Sequence, residues 1–230
     1  MQGIALDDRL SKIYDAISPC NIVVDVGTDH GKLPANLIIN DKCKKALLVD
    51  ISSASLQKAI NLFKKLNINS RAEFIVSDGL NNVNGNFNTL VIAGMGTPNI
   101  INILNNAINK LNSSQLILCS NTQISVLREY IYSIDYSITE EYIAEVSGKF
   151  YVIIKADAIK TEGSEKLYFK GKVNQFKDKV LVEKYLIYKR NKIQKSLKGY
   201  LSSKNVNQNQ IDIFNKQLNW INEDLLNIKE

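Results

Sequence analysis

The stretch VVDVGTDHGKLP, residues 23–34, decides how the chain is read. Residues 22–26 form a short apolar run broken only by Asp25, the pattern of a buried strand. Gly27 and Gly31 bracket a tight turn. Residues 33–40 then read as a helix, with Pro34 early in it, where a missing N–H does little harm. Strand, glycine turn and helix in that order make the first half of a βαβ unit, where an open α/β sheet receives its ligand.

The same alternation continues outward. Further strands are predicted at residues 46–50, 73–76, 89–93 and 115–119. Helices are predicted at 53–67, 100–111 and 124–133. In the first of these, Leu56, Ile60 and Phe63 recur at helical spacing and Ser52 or Ser53 stands ready to cap. Residues 136–146 and 150–156 read as two late strands meeting at Ser147-Gly148-Lys149, a hairpin turn. Strand and helix alternating four times predicts an α/β class fold, a parallel sheet wrapped by helices. The hairpin predicts an antiparallel strand closing the sheet at its edge. The ligand is expected at the carboxyl ends of the strands beside the first, where residues 25–31 fall.

Past residue 160 the pattern changes. Residues 161–164 read as a linker, 173–200 as a long lysine-rich helix, and 205–210 (NVNQNQ) as a polar turn. Ile211, Phe214, Leu218, Ile221, Leu225 and Ile228 then step by three and four, a heptad seam. The tail is therefore expected to be an antiparallel helical hairpin. This divides the chain into a catalytic α/β domain, 1–160, and a helical domain, 161–230. A monomer is the expected state, the seam leaving pairing between chains open.

Composition bounds the partners. The chain has 230 residues, 45% of them hydrophobic, and a net charge of +6. From Lys160 onward 15 Lys and Arg face 8 Asp and Glu; the remainder carries 14 against 15. The basic excess thus sits in the tail, which suggests a polyanion partner there, although a solvated helix face also tolerates lysine. No apolar run reaches the ~18 residues of a membrane span. The start, MQGIALDDRL, has no apolar block of the kind a signal peptide carries. Three separated cysteines, no CxxC pair and one histidine predict neither a metal site nor a disulfide framework, and fit a reduced cytoplasmic protein.

The turn itself selects a cofactor class. A dinucleotide loop reads GxGxxG so that bare backbone can approach a pyrophosphate. Here the order is Gly27-Thr28-Asp29-His30-Gly31, and a carboxylate beside a pyrophosphate would be repelled. S-adenosylmethionine has no phosphate and carries an ammonium and a sulfonium, which Asp25 and Asp29 suit. Asp29 can also cap the helix beginning near Lys32. Asp50, ending the second strand, suits a ribose diol, and Asp78-Gly79 suits an adenine amino group. Ala93-Gly94-Met95-Gly96 leaves a floor of small residues for the cofactor and an opening for the acceptor. His30 is expected to be a packed or capped imidazole rather than a catalytic one.

DVGTDHGKLP, SDGL, VIAGMG and GKFY (148–151) together resemble the bacterial tRNA (adenine-22-N1)-methyltransferases, the TrmK family, and the resemblance runs over residues 5–230. It implies a class I Rossmann-like S-adenosylmethionine-dependent methyltransferase domain with a C-terminal helical coiled coil, methylating N1 of an adenine in the D-arm of tRNA. It carries the cofactor site onto Asp25, Gly27, Thr28, Asp29, His30, Asp50, Ile51, Asp78, Gly79, Ala93, Gly94, Met95 and Gly96. Two places depart from the family's AGMGG and QPN: Thr97 follows Gly96, and Cys119-Ser120 precede the retained Asn121. Asp29 is expected to supply negative potential to the cationic product ring and Asn121 to orient the base. Arg9, Lys12, Lys149 and Tyr151 are expected to flank the RNA entrance, with Lys189, Arg190 and Lys192 of the tail on phosphates. Tyr168, Tyr185, Tyr188 and Tyr200 are expected to pack helices rather than stack on bases. The rival readings are an RNA-binding module that keeps the fold without turnover, another S-adenosylmethionine methyltransferase, and an NAD oxidoreductase, which the loop carboxylate disfavours.

Overall fold

The structure is a computed structural model and describes residues 4–172, 175–203 and 206–228. Its packing divides into two units, Met1–Glu162 and Gly163–Glu230.

The first unit opens with α1 (Asp8–Ala16), capped by the Asp7 carboxylate, which accepts from the Leu10 N–H at 2.7 Å. Then come β1 (Cys20–Val26), α2 (Lys32–Ile39), β2 (Cys43–Asp50), α3 (Ser53–Lys65), β3 (Ala72–Val76), β4 (Thr89–Met95), α4 (Thr97–Asn106), β5 (Gln115–Ser120), α5 (Ile124–Ser133), β6 (Ser137–Val146) and β7 (Lys149–Asp157). Ser52 caps α3 by accepting from the Ser55 N–H. The seven strands lie in the order β3-β2-β1-β4-β5-β7-β6. β1 to β5 are mutually parallel, and β7 is antiparallel to both of its neighbours.

Two expectations are corrected here. The antiparallel strand is not the edge; β7 is inserted between β5 and β6. Val152, Ile153, Ile154 and Ala156 of β7 are all buried, so it needs neighbours on both sides. β6, carrying Glu140, Glu141 and Glu145, takes the edge. Helix α4 starts at Thr97 rather than residue 100, because Pro98 sits in its first turn, where proline is pre-organised. It stops at Asn106 and gives way to a 3₁₀ turn, Ile108–Lys110.

One hydrophobic core lies on the face of the sheet covered by α1, α2 and α3, where Ile13, Val23, Leu37, Leu48, Phe63 and Val91 are buried together; Leu90, Ile92, Ile100, Leu104, Leu118 and Leu127 are buried outside it. On the other side, Arg128 of α5 and Glu141 of β6 form a buried ion pair at 2.7 Å. All three cysteines are free thiols, Cys43 and Cys119 buried and Cys20 half-buried.

In the second unit, α6 (Glu165–Lys170) is followed by α7 (Lys179–Leu201) and α8 (Gln208–Asn227). Asp178 caps α7 and Asn207 caps α8. Val173 and Asn205, where the sequence reading began the long helix and the polar turn, lie outside the described residues. Tyr200 at the end of α7 meets Phe214 near the start of α8, their rings 6.1 Å apart, and Glu183 and Ile187 early in α7 share a cavity with Leu225 late in α8. α7 and α8 are therefore antiparallel. The seam residues are all buried or half-buried, Ile221 and Leu225 the most. Tyr185 is buried and Tyr200 packs on Phe214, as expected for helix-packing tyrosines. The stretch read as a linker, residues 161–164, ends at Ser164, which is the N-cap of α6.

Candidate functional site

Two cavities open along the carboxyl ends of β1, β2, β3 and β4, and Gly27 lines both. Its place is strict. Gly27 has φ +78°, and a Cβ there would lie 2.6 Å from the Met95 Cε. A side chain would fill the point where the two cavities adjoin.

The first cavity, of about 250 Å³, is lined by Asp25, Thr28, Asp29, His30 and Ala93, joined by Arg9 of α1. Asp25 is buried and accepts from the Thr28 hydroxyl at 2.7 Å. Burial pushes its carboxyl up to about 6; the Thr28 hydrogen bond pulls it down, and the charge of Asp50 pushes it up again. A buried carboxylate so placed is poised to accept a cationic partner. Asp29 has φ +47° and stands at the rim, its carboxylate 3.7 Å from the His30 Nε2 and 4.0 Å from the Lys58 Nζ. It does not cap α2, whose N-cap is Gly31 without a side-chain bond. His30 is exposed at the same rim, neither packed nor capping as the sequence reading expected. The turn lifts its imidazole away from the core.

The second cavity, of about 350 Å³, is lined by Asp50, Ile51, Asp78, Gly79 and Met95, with Asn99, Asn102 and Ile103 of α4. Asp50 accepts from the Ser52 N–H at 2.8 Å and, more weakly, from the Asp29 N–H at 3.4 Å. These bonds fix the carboxylate at the strand end. Ile51 is 72% exposed, an apolar side chain on the cavity wall that offers a flat ring something to lie against.

Gly94, Gly96 and Asn121 stand beside these cavities without lining either. β4 runs on through Met95, with a register shift between Ala93 and Met95 at Gly94. The Asn121 amide donates to the Gly94 carbonyl at 2.9 Å, and its backbone N–H donates to the Met95 carbonyl at 2.9 Å. Asn121 is thereby locked to the end of β4 with its side-chain oxygen left as an acceptor. Gly96 caps α4 next to Thr122.

The two family departures touch each other. The Thr97 and Ser120 hydroxyls are 2.8 Å apart and both bond the Thr122 carbonyl, at 2.6 and 2.7 Å. Both are buried and satisfied, so the two hydroxyls close a polar network that ties the start of α4 to the end of β5. Lys149 is exposed in the hairpin turn, Lys12 is half-buried on α1, and Tyr151 stacks on Arg9, the guanidinium carbon 5.5 Å from the ring centre. In the helical unit Arg190 lines a cavity with Glu183 and Leu225, Lys192 is exposed, and Lys189 donates to the Phe169 carbonyl at 2.8 Å.

The sequence reading missed the α4 contribution. Asn99, Asn102 and Ile103 follow the AGMG turn at helical spacing, and a helix begun at Thr97 would have placed them on one face.

The donor set fits an adenosyl ligand with a cationic end better than a dinucleotide: carboxylates stand on both sides of Gly27. Among the described residues no group of His, Cys, Asp and Glu side chains is arranged to hold a metal ion, and no helix is long and apolar enough to cross a membrane.

The chain matches known methyltransferases. The family model for a methyltransferase domain matches residues 6–154. A tRNA (adenine(22)-N(1))-methyltransferase of Bacillus subtilis (strain 168) is 31% identical over 160 residues, 69% of this chain and 67% of the relative. The structure of M. capricolum TrmK in complex with S-adenosyl-homocysteine superposes with a TM-score of 0.81 at 27% identity, covering 96% of this chain and 97% of that one. B. subtilis TrmK superposes with a TM-score of 0.79 at 23% identity, covering 96% and 99%.

Proposed function

The chain belongs to the family of tRNA (adenine-22-N1)-methyltransferases, and on that premise we propose that it methylates N1 of adenine 22 in the D-arm of tRNA, using S-adenosylmethionine, in the cytoplasm. The observation that carries this reading is the pair of cavities meeting at Gly27, with Asp25 on one side and Asp50 and Asp78 on the other.

Bound there, S-adenosylmethionine supplies a methyl group made electrophilic by its sulfonium. The chain's own residues bind and orient. Asp50 accepts from the ribose hydroxyls, with Asp78 near the adenine amino group and Ile51 against its ring. Asp25 accepts from the ammonium of the amino-acid end. The buried setting strengthens that contact by excluding water.

Adenine N1 carries an in-plane lone pair at neutral pH, so the acceptor needs positioning rather than deprotonation. Asn121, fixed to the Gly94 and Met95 carbonyls, presents its side-chain oxygen to the exocyclic amine of the target base. Asp29 at the rim supplies negative potential as the ring becomes cationic. N1 lies on the Watson–Crick edge, so the base must be unpaired or extruded to reach the pocket. The basic side chains of the helical domain would hold phosphates without reading sequence.

The test is turnover on two transcripts of one tRNA, differing only in adenine or guanine at position 22. Mass spectrometry of the nucleosides is expected to find N1-methyladenosine only in the first. Equal methylation of both, or none of either, would overturn the assignment.

A further inference from the structure

We propose that Cys20 and Cys43 form a peroxide-reactive dithiol, a modification site at the end of the sheet opposite the cofactor cavities, where hydrogen peroxide closes the two thiols into a reversible disulfide. The two residues begin adjacent parallel strands, Cys20 in β1 and Cys43 in β2, and they are direct register partners. Register partners on neighbouring strands point to the same face. Here both side chains pack on the hydrophobic core beneath α1, α2 and α3. Neighbouring strands run roughly 4.7–4.9 Å apart, within the Cα separations of about 4.4–6.8 Å that a disulfide spans. The two thiols already share a hydrogen bond.

Their surroundings assign the roles. Cys20 is half-buried, so a small oxidant can reach it, whereas Cys43 is buried. The hydrogen bond from the Cys43 thiol pulls the Cys20 thiol down; burial pushes it up, and a bond from Thr89 and the charge of Lys42 pull it down further. The Cys43 thiol is pushed up by the same bond and by burial. Lys42 is fixed where it acts. Its Nζ donates to the Tyr14 carbonyl at 2.6 Å and lies 4.3 Å from the centre of the Tyr14 ring, and its own carbonyl accepts from the Cys20 N–H at 2.9 Å. Burial pulls Lys42 itself down, and Asp15 and the two cysteines push it back up. A reachable sulfur with thiolate character, set beside a resolving thiol, is what peroxide chemistry requires. Cys119 is the internal contrast. It is buried in β5, its thiol is pushed up to about 11 by burial, and its register partners are Ala93 and Ile153.

In the first step the Cys20 thiolate attacks one peroxide oxygen. An S–O bond forms as the O–O bond breaks, and the departing hydroxide becomes water with the proton that Cys20 gave up. The Cys43 sulfur then attacks the Cys20 sulfenic acid. An S–S bond forms as the S–O bond breaks, and the second hydroxide leaves as water with the Cys43 proton. The two thiols lose two electrons and two protons, and the peroxide takes up both. The covalent loop so closed, residues 20–43, contains the glycine turn and α2.

The experiment exposes the reduced full chain to hydrogen peroxide, quenches it with a thiol-alkylating reagent in denaturant, and reads intact mass and peptide map. The wild type is expected to lose about 2 Da and two alkylatable thiols, to yield a peptide pair linked through Cys20 and Cys43, and to recover both thiols with dithiothreitol. Cys119 should react at least about tenfold more slowly. Cys43→Ser is expected to stop at a Cys20 sulfenic acid, trapped by dimedone, and Cys20→Ser to leave Cys43 reduced. Survival of all three thiols under peroxide that oxidises free glutathione would overturn the proposal. So would links between chains, a link through Cys119, or oxidation of Cys43 in Cys20→Ser at the wild-type rate.

Discussion

The α/β unit and the helical unit handle charge in different ways. In the first, Asp25, Asp50 and Asp78 converge on two adjoining cavities, while its buried Arg128–Glu141 pair joins α5 to β6 and lines neither. In the second, charge closes on itself. Lys166 pairs with Glu223, Lys170 with the buried Asp224, and Lys216 with Glu165, so that α6 is clamped along α8. Phe169 and Trp220 meet between them, ring centres 5.7 Å apart. The basic excess of the tail is therefore not all available to a partner. Among the described residues Lys192, Lys195 and Lys198, exposed along the second half of α7, make no ion pair. The lesson is that a charge count locates a polyanion surface only after internal pairs are removed.

The largest effect expected from breaking this contrast is on stability. Arg128→Ala leaves Glu141 buried without its cation and should cost about 3–5 kcal/mol in urea unfolding. Lys166→Ala breaks a pair whose side chains are about half exposed and should cost roughly 0–1 kcal/mol. Equal costs would erase the distinction between the two kinds of pair.

Next comes Asp25. Its folded value is raised by burial, so the folded state holds the proton more tightly than the unfolded one. Stability therefore falls as pH rises from about 4, the unfolded value, to about 6, and stays lowered above it. Asp25→Asn is expected to match the wild type in acid and to exceed it by up to roughly 3 kcal/mol at neutral pH, while losing affinity for S-adenosylmethionine. In the wild type that affinity should weaken as pH falls through about 6. A variant less stable than the wild type at neutral pH would contradict the burial argument.

The smallest effect sharpens the surface. Lys192→Ala, Lys195→Ala and Lys198→Ala together should weaken tRNA binding about tenfold and flatten its salt dependence by about two units of log-log slope. Affinity for S-adenosylmethionine should not change. The pair Lys166→Ala and Lys216→Ala, already engaged with acids, should leave the salt slope alone; a matching drop there would mean that the internal pairs open on RNA.

The parallel strands were legible as short apolar runs, several of them closed by an acid or a glycine, as in residues 22–27, 46–50 and 89–94. The strand order at the far edge was not foreseen, yet its signal is present: Val152-Ile153-Ile154 is a continuous apolar run, whereas Thr139-Glu140-Glu141 is not. The glycine turn disclosed the ligand class because a carboxylate at Asp29 is a chemical statement in one dimension. The place of Arg9 in the first cavity was not legible, because its nearness to Gly94 depends on how α1 packs across β6 and β7, which no local pattern encodes. Thr97 and Ser120 looked like two separate losses; only their 2.8 Å contact makes them one network.

The most direct measurement of the central claim is calorimetric titration of the chain with S-adenosylmethionine and, separately, with NAD at neutral pH. A cleft lined by Asp25, Asp29 and Asp50 is predicted to bind the sulfonium compound and to give no heat with the pyrophosphate at the same concentrations. NAD binding as tight as that of S-adenosylmethionine, or no binding of the latter at all, would contradict it.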